Sequence, residues 1–355
     1  MLKISNYCIG WGRIEPNKCQ VFTPKVSVVV AVRNEDDQII RLISAFKSQI
    51  YPSDNLEFVL VNDHSTDATI DLLGEAEMDN LQIVNMPEGE FGKKNAISMA
   101  VSIASGDIIL ASDADCSFSP NWVMTMVSYF SSNKVMLVSG PVVLHKKKGI
   151  FDSFQALEFI SLISSGAGAI GMGNAIFCNG ANMAYRKSIF LEVNDFAANN
   201  AVSGDDVFLL HSVKARDPNS IVFAKHEDAI VTTDGKQSIK GFISQRKRWT
   251  AKSSSYKDGA TIRTGLVVLF TNVVVVFMLG LFLYERSYFN YLIYYLSVKC
   301  LVDLCLLIPA LSFFKRKDLI KWVLPFELFY SFYIVCIVIL SFINTFEWKG
   351  RIYKK

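Results

Sequence analysis

The chain has 355 residues, 51% of them hydrophobic and 19% charged, and 36 Lys and Arg against 33 Asp and Glu leave a net charge of +3. So apolar a composition excludes a disordered chain, 9 Pro and 20 Gly exclude collagen-like or low-complexity sequence, and a charge this small argues against nucleic acid as a partner. The length allows one large domain or two ordinary ones.

The N-terminal MLKISNYCIGWGRIE lacks the apolar core of a signal peptide, so residues 1–23 read as an N-terminal segment and the part that follows is expected to stay cytoplasmic. Val26-Ser-Val-Val-Val-Ala-Val32 is a β-branched run after Pro24 and reads as a buried parallel strand. Arg33-Asn34-Glu35 ends it. Apolar residues at Ile39, Ile40, Ile43, Phe46 and Ile50 then predict a helix over 36–50, stopped by Tyr51-Pro52. Phe58 to Val61 is a second strand, which runs into Asn62-Asp63-His64-Ser65-Thr66-Asp67 and a helix from Ala68. Leu81 to Val84 is a third strand, Gly92 to Ala104 a helix, and Ile108 to Leu110 a fourth strand ending at Ser112-Asp113-Ala114-Asp115. This alternation predicts an α/β fold, a mixed but mostly parallel sheet flanked by helices. Ligands bind beyond the carboxyl ends of the strands in such sheets, and Asp63, Asp113 and Asp115 fall at those ends.

Composition changes at Ala260. The first 260 residues hold 25 basic and 28 acidic side chains, net −3, and the last 95 hold 11 and 5, net +6. Thr264–Tyr284 and Leu328–Phe346 carry no charge over 21 and 19 residues, and Tyr288–Phe314 carries only Lys299 and Asp303. About 20 apolar residues of helix span a hydrocarbon core of about 30 Å. Residues 24–260 are therefore expected to form the catalytic-type domain, and 261–355 a membrane domain with about three helices at 265–284, 288–314 and 323–343. Lys299 and Asp303, four residues apart, share one helix face and are expected to pair inside the bundle. Three spans leave Lys315-Arg316-Lys317 inside, in keeping with the positive-inside rule, but put Lys349, Arg351, Lys354 and Lys355 outside, against it. The seven cysteines (8, 19, 116, 178, 300, 305, 336) form no C-x-x-C pair, which suits a reducing compartment.

Several short stretches have the chemistry of a site. Asp113 and Asp115 are hard oxygen donors suited to Mg²⁺ or Mn²⁺ completed by phosphates and water, although Asp also serves as a turn residue. Around Asp63, the residues Ser65, Thr66 and Asp67 suit helix capping, and a single His64 without a metal or nucleophile spacing is given no catalytic role. Gly92-Lys93 opens a helix, a place that favours phosphate, yet the second glycine of a P-loop is missing. Asn179-Gly180-Ala181-Asn182 is a small-residue segment that lets backbone approach a ligand. Asp205 and Asp206 are adjacent carboxylates, one of which suits general-base work; as helix-cap residues they need no function. Gln245-Arg246-Lys247-Arg248-Trp249 lies just before the first apolar run, where Arg suits a diphosphate and Trp a sugar face, and where a basic cluster also suits anionic lipid.

Taken in order, VSVVVAVRNE at 26–35, VNDHSTDAT at 61–69, GKKNA at 92–96, SDADC at 112–116, NGANMAYRK at 179–187, GDD at 204–206 and QRKRW at 245–249 resemble the family 2 inverting glycosyltransferases of the GT-A fold. The resemblance covers roughly residues 24–250, and the apolar tail ending WKGRIY is similar to that of membrane-bound bacterial members. It implies that Ala31, Arg33, Glu35 and Asp63 hold the nucleotide, that Lys93 lies near the donor, and that Asp113 and Asp115 bind ribose, diphosphate and a divalent metal. Asp206 matches the general base. Gln245, Arg248 and Trp249 match the Q-x-x-R-W motif near the acceptor and diphosphate. Asp205 stands where the family usually has Glu, and the first motif lacks a frequent proline; neither change removes a catalytic group.

The expected function is transfer of a sugar from a nucleotide sugar, UDP-linked as the first expectation, to a lipid or lipid-linked hydroxyl. The expected location is the cytoplasmic side of a bacterial inner membrane. A processive polysaccharide synthase, a nucleotidyltransferase and a catalytically inactive membrane-anchored nucleotide-binding protein are the alternatives. Product length separates the first, and pyrophosphate release the second. Loss of a metal or base carboxylate would mark the third, and both sets are present.

Overall fold

The computed structural model describes residues 2–16, 21–193, 205–342, 345–348 and 351–354, without the side chains of residues 2, 3, 205, 254, 345–348 and 351–354. The chain divides into two compact units, each built from separate stretches. A helical unit takes Met1–Arg13, Lys146–Met172 and Gly235–Lys355; a sheet unit takes Ile14–His145 and Gly173–Asp234.

After α1 (Leu2–Arg13) of the helical unit, the sheet unit runs β1 (Val26–Val32), α2 (Asp36–Lys47), β2 (Leu56–Asn62), α3 (Thr69–Gly74), β3 (Leu81–Asn85), α4 (Lys93–Ile103), β4 (Ile108–Asp113), α5 (Trp122–Ser128), β5 (Leu137–Ser139) and β6 (Val142–Leu144). The helical unit interrupts it with α6 (Ile150–Gly171). The sheet unit resumes with β7 (Asn182–Arg186), α7 (Lys187–Glu192), α8 (Asp205–Arg216), β8 (Ile221–Phe223) and β9 (Val231–Thr233). Then come α9 (Ile239–Lys252), α10 (Gly259–Tyr284), α11 (Phe289–Phe313), α12 (Ile320–Ser341) and the hairpin β10 (Thr345–Trp348) and β11 (Arg351–Lys354) of the helical unit.

Seven strands form one sheet in the order β3-β2-β1-β4-β7-β5-β8. β1, β2, β3 and β4 run parallel, and β7 is antiparallel to both β4 and β5. The sheet is thus mixed and mostly parallel, flanked by helices. Six of the seven residues of β1 are buried, as a central strand covered on both faces requires. In α2 the buried residues are Ile39, Leu42, Ile43 and Phe46, a helical stripe. The helix ends at Lys47, earlier than its apolar spacing suggests. Ile40 and Ile50 are exposed, and the Ile50 amide donates to Pro120 O at 2.8 Å instead of continuing the helix.

The N-terminal segment contains a helix that no apolar run announces. A Cβ at Gly10 of α1 would stand 1.9 Å from Gly168 O of α6, and one at Gly168 would stand 2.3 Å from Tyr7 O. Two glycines therefore permit a backbone-to-backbone crossing that other residues would block. Tyr7 and Trp11, one turn apart, are buried; Tyr7 Oη lies 2.7 Å from Thr264 Oγ1 and Trp11 meets Phe313 edge-on.

The helices α10, α11 and α12 are long and apolar enough to cross a membrane. They leave large apolar side chains such as Phe270, Phe277, Leu301 and Leu324 exposed and put polar groups inside. Ser331 Oγ donates to Asn272 Oδ1 at 2.9 Å. Lys299 pairs with Asp303 at 2.9 Å as its spacing suggests, and also with Glu327 of α12. The six described cysteines form no disulfide.

Candidate active site

The parallel register brings three sequence-selected positions to one edge of the sheet unit. Ala31 of β1 is paired with Val61 of β2 on one side and with Asp113 of β4 on the other. Asp63 follows β2 directly, and its amide donates to Val32 O at 2.9 Å. The carboxyl ends of β1, β2 and β4 thus carry Ala31, Asp63 and Asp113 side by side.

The loops after β1 and β2 brace each other. Arg33 Nη1 donates to the carbonyls of Asp63 and His64 at 2.5 and 2.9 Å. Asn34, at φ 51°, donates its amide to Ser65 Oγ and accepts from the Thr66 amide through Oδ1. The Glu35 amide donates to Thr69 Oγ1 at 2.8 Å, and Glu35 O accepts the first amides of α2. Desolvation acts to raise the Asp67 carboxyl, but hydrogen bonds from the Thr69 hydroxyl and amide and the Asp36 amide outweigh it, so the group sits below its ordinary value.

Asp63 is buried and its Oδ2 accepts the Gly92 amide at 3.0 Å. Gly92 caps α4 at φ +97°, a conformation that favours glycine. His64, at φ 55°, keeps Nδ1 3.3 Å from Asp63 Oδ1 and sets its ring tilted against Phe91 at 4.8 Å. His64 therefore supports Asp63. The first residue of α4, Lys93, forms an ion pair with Asp113. Asp63, Lys93 and Asp113 are thus one connected set.

Asp115 lies two residues past β4. Arg41 of α2 holds its carbonyl at 3.2 Å and reaches Asp234 at 3.5 Å. Next in the chain is the buried Cys116, whose thiol is pushed up by burial and further by the charges of Asp115 and Asp113. Among the described residues no three His, Cys, Asp or Glu groups converge as a closed metal site. Two carboxylates at one strand end fit a hard cation whose other positions are filled by diphosphate oxygens and water.

Strand β7 runs back alongside β4, pairing Asn182 with Ser112. Ser112 Oγ donates to Ala181 O at 2.8 Å, and the Gly180 amide donates to Asp206 Oδ2 at 3.0 Å. The Val207 amide donates to Asp206 Oδ1 at 2.8 Å, so both carboxylate oxygens are oriented by backbone. The small residues at 179–182 therefore approach Asp206 itself. Asn182 is structural: buried, it accepts from Trp122 Nε1 at 3.0 Å and donates to Pro141 O and Ala229 O at 2.8 Å. The side chain of Asp205, and Gly204 with it, lie outside the described residues.

Gln245, Arg248 and Trp249 are all on α9, in the helical unit. Arg246, to which the motif reading attached no role, is the buried residue of that motif. Its Nε and Nη2 donate to Glu158 at 3.0 and 2.5 Å, its Nη1 donates to Gln245 Oε1 at 2.6 Å, and its guanidinium carbon lies over both the Phe242 and the Trp249 ring. Burial alone would lower the Arg246 guanidinium; the Glu158 carboxylate more than reverses this, and the net direction is up. Glu158 and Arg41 carry no motif signal, and Asn182 lies in the small-residue segment without a role of its own assigned there. For Glu158 a signal existed, since it is an acid in the middle of a 22-residue, largely apolar helix and so requires a partner.

Residues 27–193 match the sequence model of the Glycosyl transferase family 2. These residues form a family 2 glycosyltransferase domain. The match ends before Asp206 and before α9. Glycosyltransferase AglE of Haloferax volcanii is 30% identical over 191 residues, which cover 52% of this chain and 59% of that protein. Beta-monoglucosyldiacylglycerol synthase of Nostoc sp. is 30% identical over 115 residues, 32% of this chain and 25% of that protein. The chain thus spans less than two thirds of the length of either relative. Mannosyltransferase PcManGT from Pyrobaculum calidifontis, solved with GDP-Man and Mn²⁺, aligns over 95% of this chain and 94% of its own with a TM-score of 0.60 and 16% identity, a likeness of fold.

Proposed function

We propose that the protein is a membrane-attached inverting glycosyltransferase that moves a sugar from a nucleoside-diphosphate sugar to a hydroxyl of a lipid or lipid-linked acceptor. The observation that carries this reading is the register that sets Ala31, Asp63 and Asp113 side by side at the carboxyl ends of β1, β2 and β4, in a family 2 domain. The base and ribose would rest against Ala31, Arg33, Glu35 and Asp63, and the diphosphate near Lys93. A divalent cation held by Asp113 and Asp115 would neutralise charge that develops on the departing diphosphate. Asp206, held by the Gly180 and Val207 amides, takes the proton of the acceptor hydroxyl. The freed oxygen bonds to the anomeric carbon from the face opposite the leaving group, and the bond from that carbon to the diphosphate oxygen breaks. Configuration inverts and nucleoside diphosphate leaves, with Arg248 adding positive charge near it.

The lipid part of the proposal rests on α10, α11 and α12 and on the glycolipid that the name of the Nostoc relative gives as its product. Lys315-Arg316-Lys317 between α11 and α12 supports a cytoplasmic catalytic side. The test is to incubate the full-length protein in native membranes with a panel of nucleotide sugars, each labelled in its sugar. Release of nucleoside diphosphate with label in a short glycolipid is the expected result. Release of pyrophosphate, or label in a high polymer, overturns it in favour of a nucleotidyltransferase or a processive synthase.

A further inference from the structure

The polarity of one amide on α9 is decided by a buried network that none of the motif residues discloses. Arg246 uses its whole planar fork: Nε and Nη2 bind the two oxygens of Glu158, and Nη1 binds Gln245 Oε1. A guanidinium has donors and no acceptor, so only the oxygen of the Gln245 amide can face it. The opposite orientation would set an amide NH₂ against a guanidinium N–H. The Nε2 hydrogens of Gln245 are therefore turned away from Arg246, and among the described residues no acceptor meets them.

Three further contacts fix the plane of the fork. The Phe242 and Trp249 rings lie 4.5 and 4.2 Å from the guanidinium carbon, and Tyr333 of α12 donates its hydroxyl to Glu158 Oε1 at 3.2 Å. Arg246 and the side chains of Glu158 are almost fully buried, at 5% and 9% exposure. A charge-assisted bidentate pair in such a place is rigid, because either partner left alone would be an uncompensated buried charge. The network joins three separate stretches of chain, α6, α9 and α12, through one guanidinium.

We propose that Glu158, Arg246 and Tyr333 are positioning residues that hold Gln245 as a hydrogen-bond donor, so that α9 presents an N–H pair to an oxygen of the acceptor. This rests on the glycosyltransferase reading above and adds to it the chemistry that Gln245 recognises: an acceptor oxygen with a lone pair free to accept. Trp249, whose ring packs on the same guanidinium, is aligned by the same contact.

The test is a double-mutant cycle on transfer by the full-length protein in detergent micelles. Gln245→Ala and Glu158→Gln are each expected to lower kcat/KM for the acceptor about 10-fold or more, the cost of one charge-assisted or donor hydrogen bond, and the double variant to be no worse than Gln245→Ala. Gln245→Glu, which keeps the bond to Arg246 but has no N–H, is expected to behave as Gln245→Ala. Tyr333→Phe removes only one hydroxyl and so keeps the fold if Glu158→Gln does not; it is expected to cost about threefold through the same cycle. Binding of nucleoside diphosphate, followed by calorimetry, is expected to stay at its wild-type value in all five variants. Multiplied losses in the double variant, full activity of Gln245→Glu, or equal loss of nucleotide binding would overturn the inference. If the wild-type protein transfers no sugar from any nucleotide donor, the functional reading fails instead, and the two failures are told apart.

Discussion

The Gly180 amide donates to Asp206 Oδ2 at 3.0 Å, which ties the small-residue segment before β7 to the acid at the second position of α8. A Cβ at Gly180 would lie 3.4 Å from both Asp206 Cβ and Oδ2, at ordinary contact distance. Gly180→Ala should therefore keep most of the transfer activity, while the branched Gly180→Val should push the carboxylate aside and cost about 10-fold in kcat. Asp206→Asn should cost about 10²- to 10⁴-fold, with nucleotide binding unchanged. Turnover of nucleotide sugar by the two Gly180 variants and Asp206→Asn checks this, and full activity in Asp206→Asn sinks the base assignment.

Metal removal gives a second check. A chelator should stop transfer, and Mn²⁺ or Mg²⁺ should restore it, because Asp113 and Asp115 alone provide too few ligands to retain a cation without substrate oxygens. Asp115→Asn should raise the cation concentration needed for half-maximal rate. Unchanged activity in excess chelator would show that the two carboxylates serve another purpose.

The ion pair between Lys93 and Asp113 predicts a donor effect. Lys93→Met should raise KM for the nucleotide sugar more than it lowers kcat, since it removes a ground-state charge near the diphosphate. Steady-state kinetics with donor as the varied substrate measure the split. A pure loss of kcat would place Lys93 in the bond-breaking step instead.

Asn182 should govern stability. Asn182→Leu leaves Trp122 Nε1, Pro141 O and Ala229 O without their partner, and buried groups so stranded cost about 1–3 kcal/mol each. The expected outcome is a clear fall in Tm of the detergent-solubilised protein, greater than that of Gly180→Ala. An unchanged Tm would mean the region rearranges around the substitution.

Within the apolar helices, Lys299 serves two acids, Asp303 and Glu327. Lys299→Met should leave both without a cation and reduce the yield of folded, monodisperse protein on size exclusion. Replacing all three with apolar residues should recover much of it, because the cost arises from a stranded charge rather than from loss of the cluster. Failure of the triple variant to recover would assign the cluster a further role.

Much of the sheet unit is legible in the linear chain because its signals are local. A run such as Val26–Val32 can hardly be anything but a covered strand, and the glycine before Lys93 marks a helix start through its own backbone freedom. The pairing of Lys299 with Asp303 follows from helical spacing alone. Glu327 is invisible by the same logic, since it lies 28 residues from Lys299 and just outside the charge-free run that defines the third apolar segment. Helix α1 escapes for a related reason. Its stability depends on Gly10 meeting Gly168, a contact between residues 158 positions apart that leaves no periodic trace.

By itself the sequence determined the alternating fold, the placement of Asp63, Asp113 and Asp115 at strand ends, and the three apolar helices, because period, length and turn chemistry act between neighbours. Only the tertiary structure decided what each acid touches: Asp63 the cap of α4, Asp113 the Lys93 ammonium, Asp206 the Gly180 amide, Glu158 the Arg246 fork. A buried charge or amide is settled by whichever distant segment supplies its partner, and that choice is made by packing, after the local elements already exist.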